Sequence, residues 1–302
     1  MKMHLSEVDL FYISYDEPQK EEFWAKLQDI APWAKRVDGV KGFDAAHKAC
    51  AMQSETDRLV TIDGDNLVYP EFFDLEINIP DRLKDCTFSW SARNIINGLH
   101  YGNGGVKLWT KDFIMNMKAH EASEGEHQVD FCWDPKYVQM NNTYSDTCPN
   151  GSPFQAFRAG FREGVKMTLD QGAKASGGKI EKYIHEKNFK RLLIWASIGA
   201  DVPNGEWAIY GTRMGIYSAN IDREFDIANI SDYAWFKSYF ANQIARRDPV
   251  QEAINLLEPL QKTLGLNIAE MDSDQSKFFK TVYEAPKRND NPLITEIEAD
   301  RK

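Results

Sequence analysis

The chain has 302 residues, enough to bury a substantial core, and this length predicts one large domain or two smaller ones. Hydrophobic residues make up 42% and charged residues 27% of the chain, a balance that excludes a disordered protein. No stretch approaches the roughly 20 consecutive apolar residues that cross a bilayer, so we expect no membrane partner. The net charge of -10 excludes a uniformly basic surface for polyanions.

The start of the chain and its cysteines indicate the compartment. The apolar run near the N-terminus is short and is interrupted by Glu7 and Asp9, which is not the pattern of a signal peptide. The four cysteines are widely spaced and include no CxxC pair, so we expect reduced thiols. These features predict a cytoplasmic protein.

Strand and helix patterns alternate along the first part of the chain. β-branched and aromatic residues predict a strand over 8–15, and apolar residues at helical spacing predict a helix over 21–33. A short strand over 34–40, a helix over 42–53 and a strand over 58–62 follow. This alternation predicts parallel pairing with helical crossovers, and ligands of such sheets bind beyond the carboxyl ends of the strands.

The rest of the chain divides into a short mixed block and a helical region. Strands over 86–94 and 104–110 are predicted before a helix over 111–120. Beyond about residue 152 the pattern becomes mainly helical, with predicted helices over 152–169, 188–200, 205–219, 233–247 and 249–265. We therefore predict two regions, 1–151 and 152–302, the second ending in a loosely held tail of roughly 15 residues.

The sequence LVTIDGDNLV, residues 59–68, brings two aspartates to the end of an apolar strand. Asp63 and Asp65 are one residue apart, so both carboxylates can lean toward one hard cation, and Gly64 permits the tight backbone this requires. Two carboxylates that share magnesium or manganese with phosphate groups are usual in phosphate chemistry. In the alternative interpretation, the aspartates only accept hydrogen bonds from backbone amides in a turn.

On these motifs, the first part of the chain resembles the GT-A family of nucleotide-sugar glycosyltransferases. The resemblance covers residues 8–135 and rests on FYISYD, KGFDAAHKACAMQSETDRLVTIDGD and NGGVKLW, which occur in the family's order. It implies an α/β fold with a Rossmann-like, mostly parallel sheet flanked by helices, followed here by a helical C-terminal region. It also implies a divalent cation, manganese or magnesium, and a nucleotide-sugar donor of the UDP-sugar kind.

The resemblance further implies which residues lie on the donor side. Asp63 and Asp65 would hold the metal, with Asp63 also close to the ribose. The other implied donor-binding residues are Ser14, Tyr15 and Asp16 beside the base and ribose, Lys41 and His47 near the diphosphate and sugar, and Asn103, Gly104 and Gly105 beside the transferred sugar. In the alternative interpretation, His47 is an ordinary helix residue and the glycine pair only lets two backbones approach each other.

The stretch EHQVDFCWD resembles the family segment that places an acidic residue beside the acceptor. Asp130 is the candidate general base, or the group that orients the acceptor hydroxyl, and Asp134 is its competitor. A carboxylate acts as a base only within hydrogen-bond reach of that hydroxyl. A further metal ligand of the family, commonly a histidine, has no assigned counterpart in this sequence.

A basic stretch in the helical region indicates the kind of acceptor. Residues 158–191 hold nine Lys or Arg against four Asp or Glu, a net charge of +5. Arg158, Arg162 and Lys166 recur at steps of four and so share one helix face, which we predict binds the acceptor; a solvated face is the alternative. Positive charge along this stretch favours a polyanionic partner, because phosphate contacts dominate nucleic-acid affinity.

Two phrases, AKRVDGVKGFDAAHKACA and SPFQAFRAGFREGVKM, are similar to glycosyltransferases of tailed phages that decorate hydroxymethylated cytosine in phage DNA. The sequence therefore predicts a metal-dependent glycosyltransferase that moves a sugar to an acceptor hydroxyl, with DNA as the leading acceptor. If a phage encodes it, the compartment is the host cytoplasm. The alternatives are a glycan or protein acceptor, and a non-catalytic nucleotide-sugar binder.

Overall fold

The computed structural model describes residues 1–101, 104–117, 132, 134–170, 173–174 and 178–284. These residues form two compact units. The first consists of Met1–Asn94 and His100–Cys148, and the second of Ile95–Leu99 and Pro149–Glu284. The predicted C-terminal tail lies outside the described residues.

Twelve strands are described, most of them in the first unit. They are β1 (Lys2–His4), β2 (Asp9–Ser14), β3 (Lys35–Asp38), β4 (Arg58–Asp63), β5 (Asn66–Val68), β6 (Glu76–Asn78), β7 (Thr87–Asn94), β8 (His100–Tyr101), β9 (Val106–Thr110), β10 (Tyr137–Thr147), β11 (Leu169–Asp170) and β12 (Ala173–Lys174). Eight of them form one sheet in the order β3-β2-β4-β9-β7-β10-β5, with β8 paired to β7.

Three of the described helices belong to the first unit and seven to the second. They are α1 (Lys20–Ile30), α2 (Phe43–Gln53), α3 (Lys111–Asn116), α4 (Pro153–Lys166), α5 (Glu186–Ser197), α6 (Gly205–Asn220), α7 (Tyr233–Tyr239), α8 (Pro249–Asn255), α9 (Leu257–Leu264) and α10 (Ser273–Val282). Helix α7 continues into a π-helical turn at Phe240–Ile244. None of the described helices is long and apolar enough to cross a membrane.

The sheet is mixed in direction. β2 pairs in parallel with β3 and β4, as the strand-helix alternation predicts, and β10 pairs in parallel with β7. β9 runs antiparallel to both β4 and β7, and β5 runs antiparallel to β10. The predicted α/β fold class with a helical C-terminal region is confirmed, although parallel pairing is limited to these three strand pairs.

A hydrophobic core on one face of the sheet fixes the strands that carry polar residues at their ends. Phe11, Leu59 and Trp109 come from β2, β4 and β9, and they pack against Cys50 of α2 and Phe113 of α3. The indole nitrogen of Trp109 donates a 2.7 Å hydrogen bond to the Thr61 hydroxyl, so its one polar atom is satisfied. Neighbouring strands are thereby held in register from the core to the carboxyl edge.

In the second unit, helices α4 and α6 approach so closely that their backbones touch. A Cβ atom at Gly160 would lie 2.0 Å from the carbonyl oxygen of Ala208, and one at Gly211 would lie 2.2 Å from that of Phe157. Gly164 and Gly215 repeat these contacts one turn further along each helix. The glycines of α6 therefore allow its close packing against α4.

We expect Gly211→Ala to lower the free energy of unfolding by about 2 kcal/mol or more, because the added methyl group must push two helix backbones apart. The small gain in helix propensity cannot offset this. Urea unfolding measures the effect, and Ala45→Ser, at an exposed position of α2, is the control that should change little. Equal stability of Gly211→Ala and wild type would contradict the close approach.

Candidate functional site

The carboxyl ends of β2 and β4 meet the start of β9 at one edge of the sheet. Ile13 is in register with Asp63 across the parallel pair, and the amide of Asp63 donates a 2.9 Å hydrogen bond to the carbonyl of Gly105. The Asp63–Gly64–Asp65 turn therefore lies between the loop after β2 and the glycine pair before β9. This is the edge at which ligands of parallel α/β sheets bind.

A third carboxylate, Glu17, borders this turn. Its Oε2 atom accepts a 2.7 Å hydrogen bond from the amide of Tyr15. A Cβ atom at Gly64 would lie 2.8 Å from the same oxygen, so a larger residue at the centre of the turn would displace the Glu17 carboxylate. The Tyr12 hydroxyl donates a 2.8 Å hydrogen bond to the carbonyl of Gly64, which helps to fix the backbone of the turn. Sequence reasoning missed Glu17, although it follows a predicted strand.

Carboxylate crowding perturbs Asp65. Burial and, to a lesser extent, the nearby carboxylates of Asp63 and Glu17 together raise its pKa to about 7, against the opposing effect of the Asn66 amide. Asn66 Nδ2 donates to Asp65 Oδ1 at 2.7 Å. A Cβ atom at Gly105 would lie 2.2 Å from that nitrogen, so Gly105 leaves the room in which Asn66 reaches Asp65. A cation among these carboxylates would favour their ionised forms.

A buried lysine lies on the inner side of Asp63. Lys107 of β9 is only 3% exposed, and its Nζ atom is 3.6 Å from Asp63 Oδ2. The same ammonium donates a 2.9 Å hydrogen bond to the carbonyl of Gly104. A Cβ atom at Gly104 would lie 2.5 Å from the carbonyl oxygen of Trp90, so the alternative interpretation of this glycine, backbone against backbone, applies. Sequence reasoning missed Lys107 because it occupies an apolar strand.

His47 lies in the core rather than at the open edge. It is 1% exposed and packs between Phe43 and Trp109, with ring centroids 4.0 and 5.2 Å away. Burial lowers its pKa to about 4, although Asp63 is close enough to oppose that shift. The neutral ring donates from Nδ1 to the carbonyl of Phe43 at 2.9 Å, which leaves Nε2 as an acceptor. A binding role for His47 remains a prediction.

Ser14, at the end of β2, contacts a carboxylate at the end of the neighbouring strand β3. Ser14 is buried, and its hydroxyl donates to Asp38 Oδ1 at 2.7 Å and accepts from Arg36 Nε at 3.0 Å. A hydrogen bond from Lys20, followed by that from Ser14, lowers the pKa of Asp38. Ser14 therefore supports Asp38, a rim carboxylate that sequence reasoning missed. Three other predicted donor-side residues have exposed side chains: Tyr15, Asp16 and Lys41.

Of the two predicted acceptor-side carboxylates, Asp134 lies within the described residues and Asp130 does not. Asn103 also lies outside the described residues. Asp134 precedes β10 and accepts from the amide of Lys136 at 2.8 Å, and the carbonyl of Lys136 accepts from Thr87 at the start of β7. β7 and β4 run in the same direction, since both are antiparallel to β9. Asp134 is therefore at the edge opposite Asp63 and is not a competitor for the base.

The donor set suits a hard divalent cation that is shared with a ligand. Asp63 and Asp65 offer carboxylate oxygens, which magnesium and manganese prefer. Among the residues placed by the structure, no three His, Cys, Asp or Glu side chains are arranged to hold a metal ion. Magnesium commonly binds one or two carboxylates together with substrate phosphates and water. The two aspartates fit that mode of binding and do not form an all-protein cage.

The predicted acceptor face on α4 is only partly solvated. The guanidinium of Arg158 lies 5.0 Å from the Tyr233 ring and 5.6 Å from the Phe236 ring, which attaches α4 to α7. Arg162 is half-buried and Lys166 is exposed. Further along the basic stretch, the lysines with exposed side chains are Lys179, Lys182, Lys187 and Lys190. Solvent-facing positive charge in this unit thus comes mainly from lysine.

Comparisons with known proteins give only distant likenesses. No protein-family model and no curated protein matches the sequence. A structure assigned as a glucose-1-phosphate thymidylyltransferase from Bacillus anthracis, in complex with a sucrose, matches with a TM-score of 0.26 and 14% identity over 44% of this chain and 66% of that one, just under two thirds. Residues 1–349 of S. aureus TarS match with a TM-score of 0.27 and 10% identity over 80% and 94%. Scores this low carry no functional argument.

Asp65 should make the metal-free protein less stable as the pH rises. In the folded protein its carboxyl keeps a proton up to about pH 7, whereas in the unfolded chain it loses that proton near pH 4. Between these values the folded state binds more protons, so the free energy of unfolding falls with increasing pH. Asp65→Asn should flatten this dependence in urea unfolding with chelator at about pH 5 and about pH 8. An unchanged slope would show that Asp65 is ionised throughout.

Proposed function

We propose that the protein is a metal-dependent glycosyltransferase that takes its sugar from a nucleotide-sugar donor. The observation that carries the proposal is the pair Asp63 and Asp65, held at the carboxyl edge of the sheet with Lys107 behind them. Two carboxylates at a ligand-binding edge favour an anionic ligand that arrives with a cation. A diphosphate group is the part of a nucleotide-sugar with that chemistry.

Asp63 and Asp65 would hold the divalent cation. The side chain of Asp63 is 35% exposed, so it can reach a ligand. The hydrogen bond from Asn66 orients the carboxyl group of Asp65. When bound, the cation would act as a Lewis acid that stabilises the departing diphosphate. The protein's own part is to fix both carboxylates before the ligand arrives, which reduces the entropy lost on binding.

The remaining donor would extend along both sides of the turn. We propose that exposed Tyr15 and Asp16, with the Asp38 carboxylate fixed by Ser14, contact the base and ribose of a UDP-sugar. Lys41 would lie on the diphosphate side. The stretch Asn103, Gly104 and Gly105, which is joined to Asp63 by a backbone hydrogen bond from Asp63 to Gly105, would face the transferred sugar.

For the acceptor we propose a hydroxyl group activated or oriented by Asp130, with hydroxymethylated cytosine in phage DNA as the leading candidate. The exposed lysines of the basic stretch support a polyanionic acceptor, because they can neutralise phosphates. Arg158 is assigned to helix packing in this scheme, since its guanidinium covers the Tyr233 ring. Arg162 and Lys166 remain predicted acceptor contacts.

Transfer should depend on a divalent cation. Chelator should abolish cleavage of UDP-sugars, and added manganese or magnesium should restore it. Asp63→Asn should lower turnover by about a hundredfold or more, because it removes a negatively charged ligand, and circular dichroism checks that this variant is folded. Exposed Asp74→Asn in the same unit is the matched control. Turnover that persists at the wild-type rate in excess chelator would reject the metal-dependent mechanism.

Binding to DNA should fall steeply with salt. Reversing exposed Lys166, Lys182 and Lys187 to glutamate should reduce the salt slope by about 0.9 for each phosphate that is no longer neutralised, and should cut transfer to hydroxymethylated DNA. UDP-sugar hydrolysis should stay near the wild-type level. Lys262→Glu, exposed on α9 outside the basic stretch, is the control. Absence of DNA binding at low salt would favour a glycan or protein acceptor.

A further inference from the structure

Lys107 is a charged residue in an environment that rarely accepts one. It is 3% exposed, and lysine is almost never that deeply buried without a partner. It lies in the middle of the sheet, in register with Thr61 of β4 on one side and Ser89 of β7 on the other. Strands on both sides prevent its stem from swinging out, so the ammonium is a fixed part of the edge.

The two contacts of this ammonium define its role. The carbonyl of Gly104 accepts a hydrogen bond at 2.9 Å, whereas Asp63 Oδ2 is 3.6 Å away, an ion-pair distance too long for a hydrogen bond. The side chain of Asp63 is 35% exposed. One side of this carboxylate therefore faces a buried ammonium group, and the other side is open to a ligand.

We propose that Lys107 is the resident counter-ion of Asp63 and that it disfavours a free divalent cation while admitting one already paired with a diphosphate. The proposal rests on the proposed function and names the regulation of the same site. A cation that binds the open side of Asp63 is repelled by the ammonium behind it, and burial strengthens that repulsion. A diphosphate brings negative charge that offsets the repulsion and supplies the oxygen ligands that the protein lacks.

The surrounding groups agree with this arrangement. The carboxyl groups of Asp63 and Glu17 are both close to that of Asp65, whereas Lys107 adds positive charge from within the sheet. The two aspartates alone are too few to complete a cation's coordination shell. Free metal therefore meets an incomplete ligand set and a repelling charge together, and the diphosphate relieves both.

The test is binding of Mn²⁺, measured by calorimetry and by the electron paramagnetic resonance of free Mn²⁺, with and without UDP. Wild type should bind Mn²⁺ at least about tenfold more tightly with saturating UDP than without it. Lys107→Met, similar in length and uncharged, should bind Mn²⁺ alone about tenfold more tightly than wild type and gain less from UDP. Lys107→Arg should behave like wild type.

Lys111→Met is the matched control. Lys111 is half-buried, and its ammonium donates to the carbonyl of Ser54, an uncharged partner. This substitution should leave Mn²⁺ binding unchanged. Circular dichroism checks folding, and if Lys107→Met fails to fold, Lys107→Gln carries the same expectation, because its amide can still donate to Gly104.

The outcomes separate this proposal from the proposed function. If Lys107→Met binds Mn²⁺ alone no better than wild type, while Asp63→Asn loses Mn²⁺ binding, the metal site stands and the counter-ion role is overturned. If Lys107→Met binds Mn²⁺ alone more tightly but UDP changes nothing in any variant, the counter-ion role is supported, and the diphosphate part falls together with the proposed donor.

Discussion

The hydrogen bond from the Asp63 amide to the Gly105 carbonyl organises the carboxyl edge of the sheet. It continues the antiparallel pairing of β4 and β9 one step beyond the strands, so the turn and the glycine pair are held side by side. From this junction Asn66 reaches Asp65, and Lys107 reaches Asp63. The ammonium group of Lys107 and the carboxyl groups of Asp63 and Asp65 are thereby held close together at this edge.

Much of this edge is predictable from sequence because its signals are local. Apolar runs of strand length alternate with helical spacing from β2 to β4, and each run stops at polar residues. That pattern alone places Ser14 and Asp63 at the ends of neighbouring parallel strands. Gly64 is also predictable as a tight position, and in the structure the Glu17 carboxylate lies where a Cβ atom at this position would be.

The unpredicted features depend on contacts distant in the sequence or on competing local preferences. Lys107 pairs with Asp63 through strand register, and nothing in its immediate neighbours indicates a charge partner. β10 escapes prediction because Asn142, Ser145 and Asp146 interrupt any apolar alternation. The predicted helix over 249–265 breaks at Leu256 into α8 and α9, since Pro259 has no amide hydrogen to continue the ladder. The sequence does not show which edge Asp134 occupies, because this depends on the direction of β7 and β10 in the sheet.

The glycine-lined contact between α4 and α6 has a consequence for how the second unit opens. With no layer of side chains between the two backbones, the helices have nothing that could repack or slide during a partial separation. Local fluctuations of the unit are then confined to its outer helices and loops. Amide hydrogens on the facing turns of α4 and α6 should accordingly exchange with solvent only when the whole unit unfolds, which makes this helix pair its most slowly exchanging segment.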